Sequence, residues 1–188
     1  MNKTVFKYIF FILLLNLSLI SCNDLTLPKP KAQLRLDYPA PNYNYYETPC
    51  GFGFESNSLS LIQSKKDCTF EIDYPKMKAT IYLTYIPVKD NINVLLEEAQ
   101  KLTYEHVIKA DDIIEQPFVN EENKVYGMFY LVGGNAATNT QFYATDSTKN
   151  FIRGSAYFYA KPNFDSILPG VNYIKNDMRV IMESLEWK

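Results

Sequence analysis

Between Lys124 and Ala160 the chain repeats one pattern three times, and that pattern restricts the fold more than any other feature. Lys124 to Val132, Thr138 to Thr145 and Phe151 to Ala160 are dense in β-branched and aromatic residues. They are joined by Gly133-Gly134-Asn135-Ala136-Ala137 and by Asp146 to Asn150, the short polar connections of an antiparallel meander. A strand with one wet face would alternate strictly between apolar and polar residues. Here Val125, Phe129 and Leu131 line one face while Tyr126, Met128, Tyr130 and Val132 line the other, so both faces need a cover. Two amphipathic helices can supply it. From Ile92, the residues Leu95, Leu96, Ala99, Leu102 and His106 recur at helical spacing, with Asp90, Asn91 and Asn93 as start signals. After the breaks at Pro162-Asn163 and Pro169-Gly170, Val171, Ile174, Met178, Ile181, Met182 and Leu185 form a second stripe, and Trp187 closes the domain.

Upstream, Cys50 to Phe54, the pair Leu59 and Leu61, and Cys68 to Tyr74 read as half-buried strands, and Ala79 to Ile86 as a more central one. Asp111 to Asn123 reads as a polar, acidic excursion around Pro117 with a short extended piece at Ile113-Ile114. The order of strands, helix, three strands and helix predicts an α+β fold. The sheet is expected to be mainly antiparallel, of about six strands, with the two helices on opposite faces as an α/β/α sandwich. That order is similar to PsbP-like and DcrB-like domains, an analogy of fold alone.

The N-terminus decides where the domain works. Lys3 and Lys7, the apolar run Ile9 to Leu15, and Leu19-Ile20-Ser21-Cys22 have the layout of a secretory signal whose end resembles a bacterial lipobox. An ordinary signal peptide with an incidental cysteine, or an uncleaved anchor, is the competing reading. The expected organisation is a lipoprotein signal peptide over 1–21, lipidated Cys22 with a Pro/Tyr-rich tether over 22–49, and a single domain over 50–188. Two or more acyl chains on Cys22 would make membrane dissociation negligible. Five of the 10 prolines (Pro28, Pro30, Pro39, Pro41 and Pro49) fall in the tether, which predicts an extended spacer with little regular structure. Its Tyr38, Tyr43, Tyr45 and Tyr46 would dock on their own domain or, as the less favoured alternative, on a partner. From Cys22 onward, 17 Lys and Arg face 21 Asp and Glu, a net charge of −4, which supplies no basic field for nucleic acid.

No residue set has the spacing of a catalytic site. Cys50 and Cys68 lie on an exported chain and are expected to pair; the close C-x-x-C spacing of a redox pair is missing. His106 is the only histidine, sits on an apolar helical stripe, and has no Gly-x-Ser-x-Gly turn to serve. The acids Asp111, Asp112, Glu115, Glu121 and Glu122 lack the spacing of a calcium loop, and Gly133-Gly134-Asn135 leads to a strand without a lysine, unlike a phosphate cradle. No catalytic residue, metal, cofactor or small-molecule substrate is therefore expected. Binding remains: Asn135, Asn139, Gln141, Asp146, Asn150 and Arg153 are expected to cluster around the two meander loops. Arg153 would either meet a partner or form a structural ion pair with Asp146 or Asp165, and Asn135, Gln141, Asp146, Arg153 and Asp165 are the candidate partner-binding residues.

Most of the mature chain carries a resemblance. Gly127, Gly134-Asn135-Ala136, Gln141-Phe142, Thr145-Asp146-Ser147, Phe151-Ile152-Arg153-Gly154, Tyr157-Phe158, Pro162 to Ser166 and Glu183 to Trp187 resemble the gliding motility lipoprotein GldD family. So do Cys50 before Phe52-Gly53-Phe54-Glu55, Cys68 before Ile72 to Pro75, Ala79 to Leu83, and Leu102-Thr103 with His106. The resemblance implies a Bacteroidetes envelope protein required for gliding and for the associated type IX secretion, meeting other proteins of that machinery. A membrane-tethered, non-enzymatic component is thus the expected function. A small-ligand or envelope-glycan binding module using the tyrosine-rich surface is the alternative, which a deep aromatic pocket would favour. The anchor is expected to face the periplasm, with the cytoplasmic membrane slightly preferred.

Overall fold

The computed structural model describes Lys7 and residues 38–105, 110–134, 136–159 and 164–188, the last without the side chains of 164–166. The expected signal peptide apart from Lys7, together with Cys22, His106 and Asn135, lies outside the described residues, as does the side chain of Asp165. Among the described residues ten strands and two α-helices follow in order: β1 (Tyr43–Glu47), β2 (Phe52–Asn57), β3 (Leu61–Ser64), β4 (Thr69–Tyr74), β5 (Ala79–Pro87), α1 (Ile92–Tyr104), β6 (Ala110–Asn120), β7 (Val125–Gly134), β8 (Thr138–Thr145), β9 (Asn150–Phe158), α2 (Phe164–Glu183) and β10 (Glu186–Trp187). Seven strands form one sheet in the order β3-β4-β5-β9-β8-β7-β6, and β1-β2-β10 form a second. Every pairing is antiparallel. The meander β7-β8-β9 docks on β5 through the register Ala79↔Phe158 to Pro87↔Asn150, with α1 in the crossover from β5 to β6.

The count of seven plus three strands corrects the expectation of about six. Three strands were hidden in the sequence: the two-residue β10, which pairs with β2 through Glu186↔Gly53 and Trp187↔Phe52, and two longer ones. The first is β1, within the stretch expected to be an irregular tether, where Pro41 and Pro49 flank the strand rather than interrupt it. It pairs with β2 from Tyr43↔Asn57 to Glu47↔Gly53. The second is β6, the supposed acidic excursion, which pairs with β7 from Ile113↔Val132 to Asn120↔Val125. It is an edge strand, which explains both its polarity and Pro117. An edge has N–H groups with no partner strand to bond, so a proline is tolerated there. Charges such as Asp111, Asp112 and Glu115 also deter pairing with a second chain. The last helix differs as well: α2 starts at Phe164 and takes Pro169 inside itself, where a break had been expected. Gly170 after it packs against the Phe158 ring and the Tyr38 hydroxyl.

Period-two alternation divides the large sheet into two faces. One carries Phe70, Ile72, Ile81, Leu83, Ile152, Ala156, Phe142, Ala144 and Phe129, and it is sealed by Ile174, Met178, Ile181 and Met182 of α2 together with Phe52 and Phe54 of β2. Each of the Phe, Ile, Leu and Met side chains among them, fully removed from water, contributes about 1.5–3 kcal/mol. Along β9 the neighbours Ile152 and Phe151 point oppositely. Phe151 belongs to a smaller cluster with Leu95 and Ala99 of α1, flanked by Ile86, Leu96 and Tyr143. The helices therefore cover opposite faces, and α1 covers its face only in part.

Polar bonds and a disulfide attach the N-terminal strands. Tyr43 Oη donates to Asp177 Oδ1 at 2.6 Å, and Asn57 Nδ2 donates to Asp177 Oδ2 at 2.9 Å and to Tyr173 Oη at 3.0 Å. Tyr173 in turn donates to the Pro39 carbonyl at 3.0 Å and packs on Tyr38 with ring centroids 5.2 Å apart. Tyr45 donates to Glu186 at 3.0 Å, and Tyr46 packs on Phe54. All four tyrosines thus lie against their own domain. Cys50 and Cys68 form a disulfide with Cα atoms 6.0 Å apart, joining the entry of β2 to the start of β4.

Candidate functional site

On the α1 face of the large sheet lies a cleft of about 670 Å³. Strand register builds its floor. Tyr82, Ser155, Gln141 and Tyr130 face one another across β5, β9, β8 and β7, and Thr84, Arg153 and Tyr143 form the next row. Because alternate residues share a face, these two rows come two residues apart along every strand and all project to the same side. Leu102, Thr103 and Glu105 at the end of α1 form one wall, and Tyr157 and Tyr159 stand at the opening of the cleft.

The floor is aromatic and rich in hydrogen-bonding groups. Tyr82 and Tyr157 meet edge to face at 5.7 Å, Tyr130 and Tyr143 lie 6.3 Å apart, and Tyr143 stacks on Phe151 at 5.7 Å. The Tyr82 and Tyr159 hydroxyls are 2.6 Å apart. That hydrogen bond, and then burial, push the Tyr82 phenol up to about 12. Burial likewise pushes up Tyr130 and Tyr143, helped by the Glu115 carboxylate. The raised phenols of Tyr82, Tyr130 and Tyr143 stay neutral at physiological pH, and Arg153 brings a guanidinium to the cleft. Gln141 is only 7 % exposed; its Oε1 lies 3.5 Å from the Thr103 hydroxyl, while its Nε2 has no partner among the described residues. A buried donor without an acceptor costs about 1–3 kcal/mol.

The residues expected to cluster at the meander loops are divided among three places. Consecutive hairpins of a meander lie at opposite ends of a sheet, so the 135–137 and 146–149 connections are separated by the length of β8. At one end Asn139 is buried and donates to the carbonyls of Val132 and Gly134. At the other, Asp146 accepts from the backbone N–H groups of Thr148, Lys149 and Asn150 and from the Asn150 side chain. Burial pushes the Asp146 carboxyl up, but these four donors together outweigh it and hold it below the ordinary value. Asp146 caps its own turn and is not the partner of Arg153. Gln141 and Arg153 sit mid-strand in the cleft, diagonal neighbours on β8 and β9. Sequence reasoning missed Tyr82, Thr84, Thr103 and Ser155. The available signal was polarity at inward positions: Gln141, Arg153 and Ser155 fall where strands covered on both sides should carry apolar side chains.

Among the described residues, no group of three or more His, Cys, Asp or Glu side chains could hold a metal ion. Among the same residues, no helix is long and apolar enough to cross a membrane. No curated protein matches the sequence. The family model described as gliding motility lipoprotein GldD matches residues 23–187.

Proposed function

The chain belongs to the gliding motility lipoprotein GldD family, and from that premise we propose that it serves gliding and the associated type IX protein secretion as a membrane-tethered component, acting through protein contacts rather than catalysis. The observation that carries this reading is the extent of the family match, which begins at the residue after Cys22 and runs through β10. Cys22 is the proposed lipidation site, and two or more acyl chains on it would hold the domain at the membrane surface without a spanning helix. We place the anchor facing the periplasm, with the cytoplasmic membrane favoured. The folded domain begins near residue 38 in this reading, because the tyrosines that follow are bonded to α2 and β10. The candidate residues for partner contact are Asn135, Gln141, Asp146, Arg153 and Asp165.

The test is a deletion strain complemented with wild type or with Cys22→Ala, scored for colony spreading and for secreted cargo in the medium. Loss of both in the deletion, restored by wild type and not by the unlipidated form, is the expected result. Normal spreading and secretion in the deletion would overturn the proposal. The tyrosine-lined cleft favours a second reading, ligand binding by the same domain.

A further inference from the structure

We propose that the cleft between α1 and the large sheet binds a saccharide bearing a carboxylate. This deepens the ligand-binding reading of the same cleft, on which it rests, and is independent of the role in gliding. Two observations point to a ligand. Gln141, more than nine-tenths buried, lies in the floor with an Nε2 donor that finds no acceptor among the described residues. Arg153 lies diagonally beside it on the next strand, roughly 7–8 Å away by sheet geometry. A guanidinium binds a carboxylate through two parallel N–H bonds, and an amide N–H completes an acceptor a few ångströms further along the same small molecule.

The lining selects among carboxylates. An aromatic acid would satisfy Arg153 and lie well on the tyrosine rings, but it would bring nothing for Gln141, Thr84 or Ser155 to bond. A sugar acid meets all of them. Its carboxylate takes Arg153, its hydroxyls take Gln141 and the neighbouring hydroxyl groups, and its C–H face lies on the ring of Tyr82 or Tyr157. The volume is within the range of small-molecule sites, about 300–1,000 Å³. Among the described lining residues Glu105 is the one carboxylate, and repulsion from it would turn the anion toward Arg153.

The test is equilibrium dialysis of the purified lipidated protein in detergent against D-glucuronate, D-glucose and benzoate. Saturable glucuronate binding is expected, with glucose and benzoate about tenfold weaker or worse, the size of one lost charge-assisted bond. Arg153→Gln should weaken glucuronate by about tenfold and leave glucose unchanged. Gln141→Leu should weaken both sugars without lowering the melting temperature, since it removes a buried unpaired donor. A uronate oligomer that binds more tightly than the monomer would assign the site to a polymer, and equal binding would assign it to free sugar acids; both support the proposal. Benzoate binding as tightly as glucuronate, or no saturable glucuronate binding by the folded wild type, would overturn it.

Discussion

The carboxylate of Asp177 should hold β1 on the domain, and a double-mutant cycle measures how strongly. Asp177 is 2 % exposed and accepts two hydrogen bonds from different strands, one from Tyr43 of β1 and one from Asn57 of β2. Burial, followed by the hydrogen bond to Asp177, pushes the Tyr43 phenol far up, which keeps the proton on the tyrosine as donor. A hydrogen bond to a charged group contributes about 1.5–3 kcal/mol, so Tyr43→Phe should cost about 2 kcal/mol while keeping the ring. Asp177→Ala removes both bonds, opens a small void and strands two donors, and should cost about 3–5 kcal/mol. Once Asp177 is alanine, Tyr43→Phe should cost almost nothing, because the hydroxyl it deletes has already lost its acceptor. The expected coupling is therefore about 2 kcal/mol. Urea denaturation followed by the fluorescence of Trp187, the only tryptophan, reads all four proteins. Limited proteolysis around residues 38–47 should show earlier cleavage in each single variant. Additive costs, with Tyr43→Phe equally damaging in both backgrounds, would refute the argument.

Three further outcomes are expected. Replacing Cys50 and Cys68 by serine should cost roughly 3 kcal/mol for a closed loop of this length, about 6–12 °C in melting temperature; an unchanged melt refutes the stabilising role. Asp146→Ala should cost about 1–2 kcal/mol at neutral pH, discounted for its partial exposure. Its folded carboxyl lies below the unfolded value near 3.9, so this contribution is present above that value and lost as pH falls through the folded one. Wild type and variant should therefore converge below about pH 4 in acid titrations of stability, and a constant gap would count against the turn cap. At the other extreme, Tyr43, Tyr74, Tyr82 and Tyr130 all have phenols raised chiefly by burial or, for Tyr82, by its bond to Tyr159. Their contribution is full below the ordinary value near 10 and falls as pH rises beyond it. Tyrosinate absorbance should appear in two phases, the second coinciding with alkaline unfolding; a single phase near pH 10 with the fold intact would contradict it.

The legible parts of the fold were those with strong periodicity. The strands 124–160, the helix from Ile92 and the Val171 to Leu185 stripe all follow from spacing, as does the need to cover both faces of the sheet. The two longer strands that escaped notice, β1 and β6, lie where local composition argues for something else. Tyr43 to Glu47 has no apolar alternation, because its stability comes from pairing with β2 and from hydroxyls reaching Asp177 and Glu186. Ala110 to Asn120 looks like a loop because an edge strand is under pressure to be polar. Pro169 marks a break only while α2 is considered alone; packed against β2, β7 and β8, the helix continues through it.

The site divides along the same line. By itself the sequence determined that the faces alternate, that Cys50 and Cys68 are the two cysteines available to each other once Cys22 is set aside, and that polar residues interrupt strands expected to be apolar on both sides. It could not say that Gln141 and Arg153 leave the loop cluster and share a floor with Tyr82 and Thr84, some 60 residues earlier in the chain. That placement depends on which edge of β5 receives the meander and on how far α1 reaches across the sheet. Neither is encoded in a local period, because both are set by burial summed over many distant contacts, and only the assembled tertiary structure decides them.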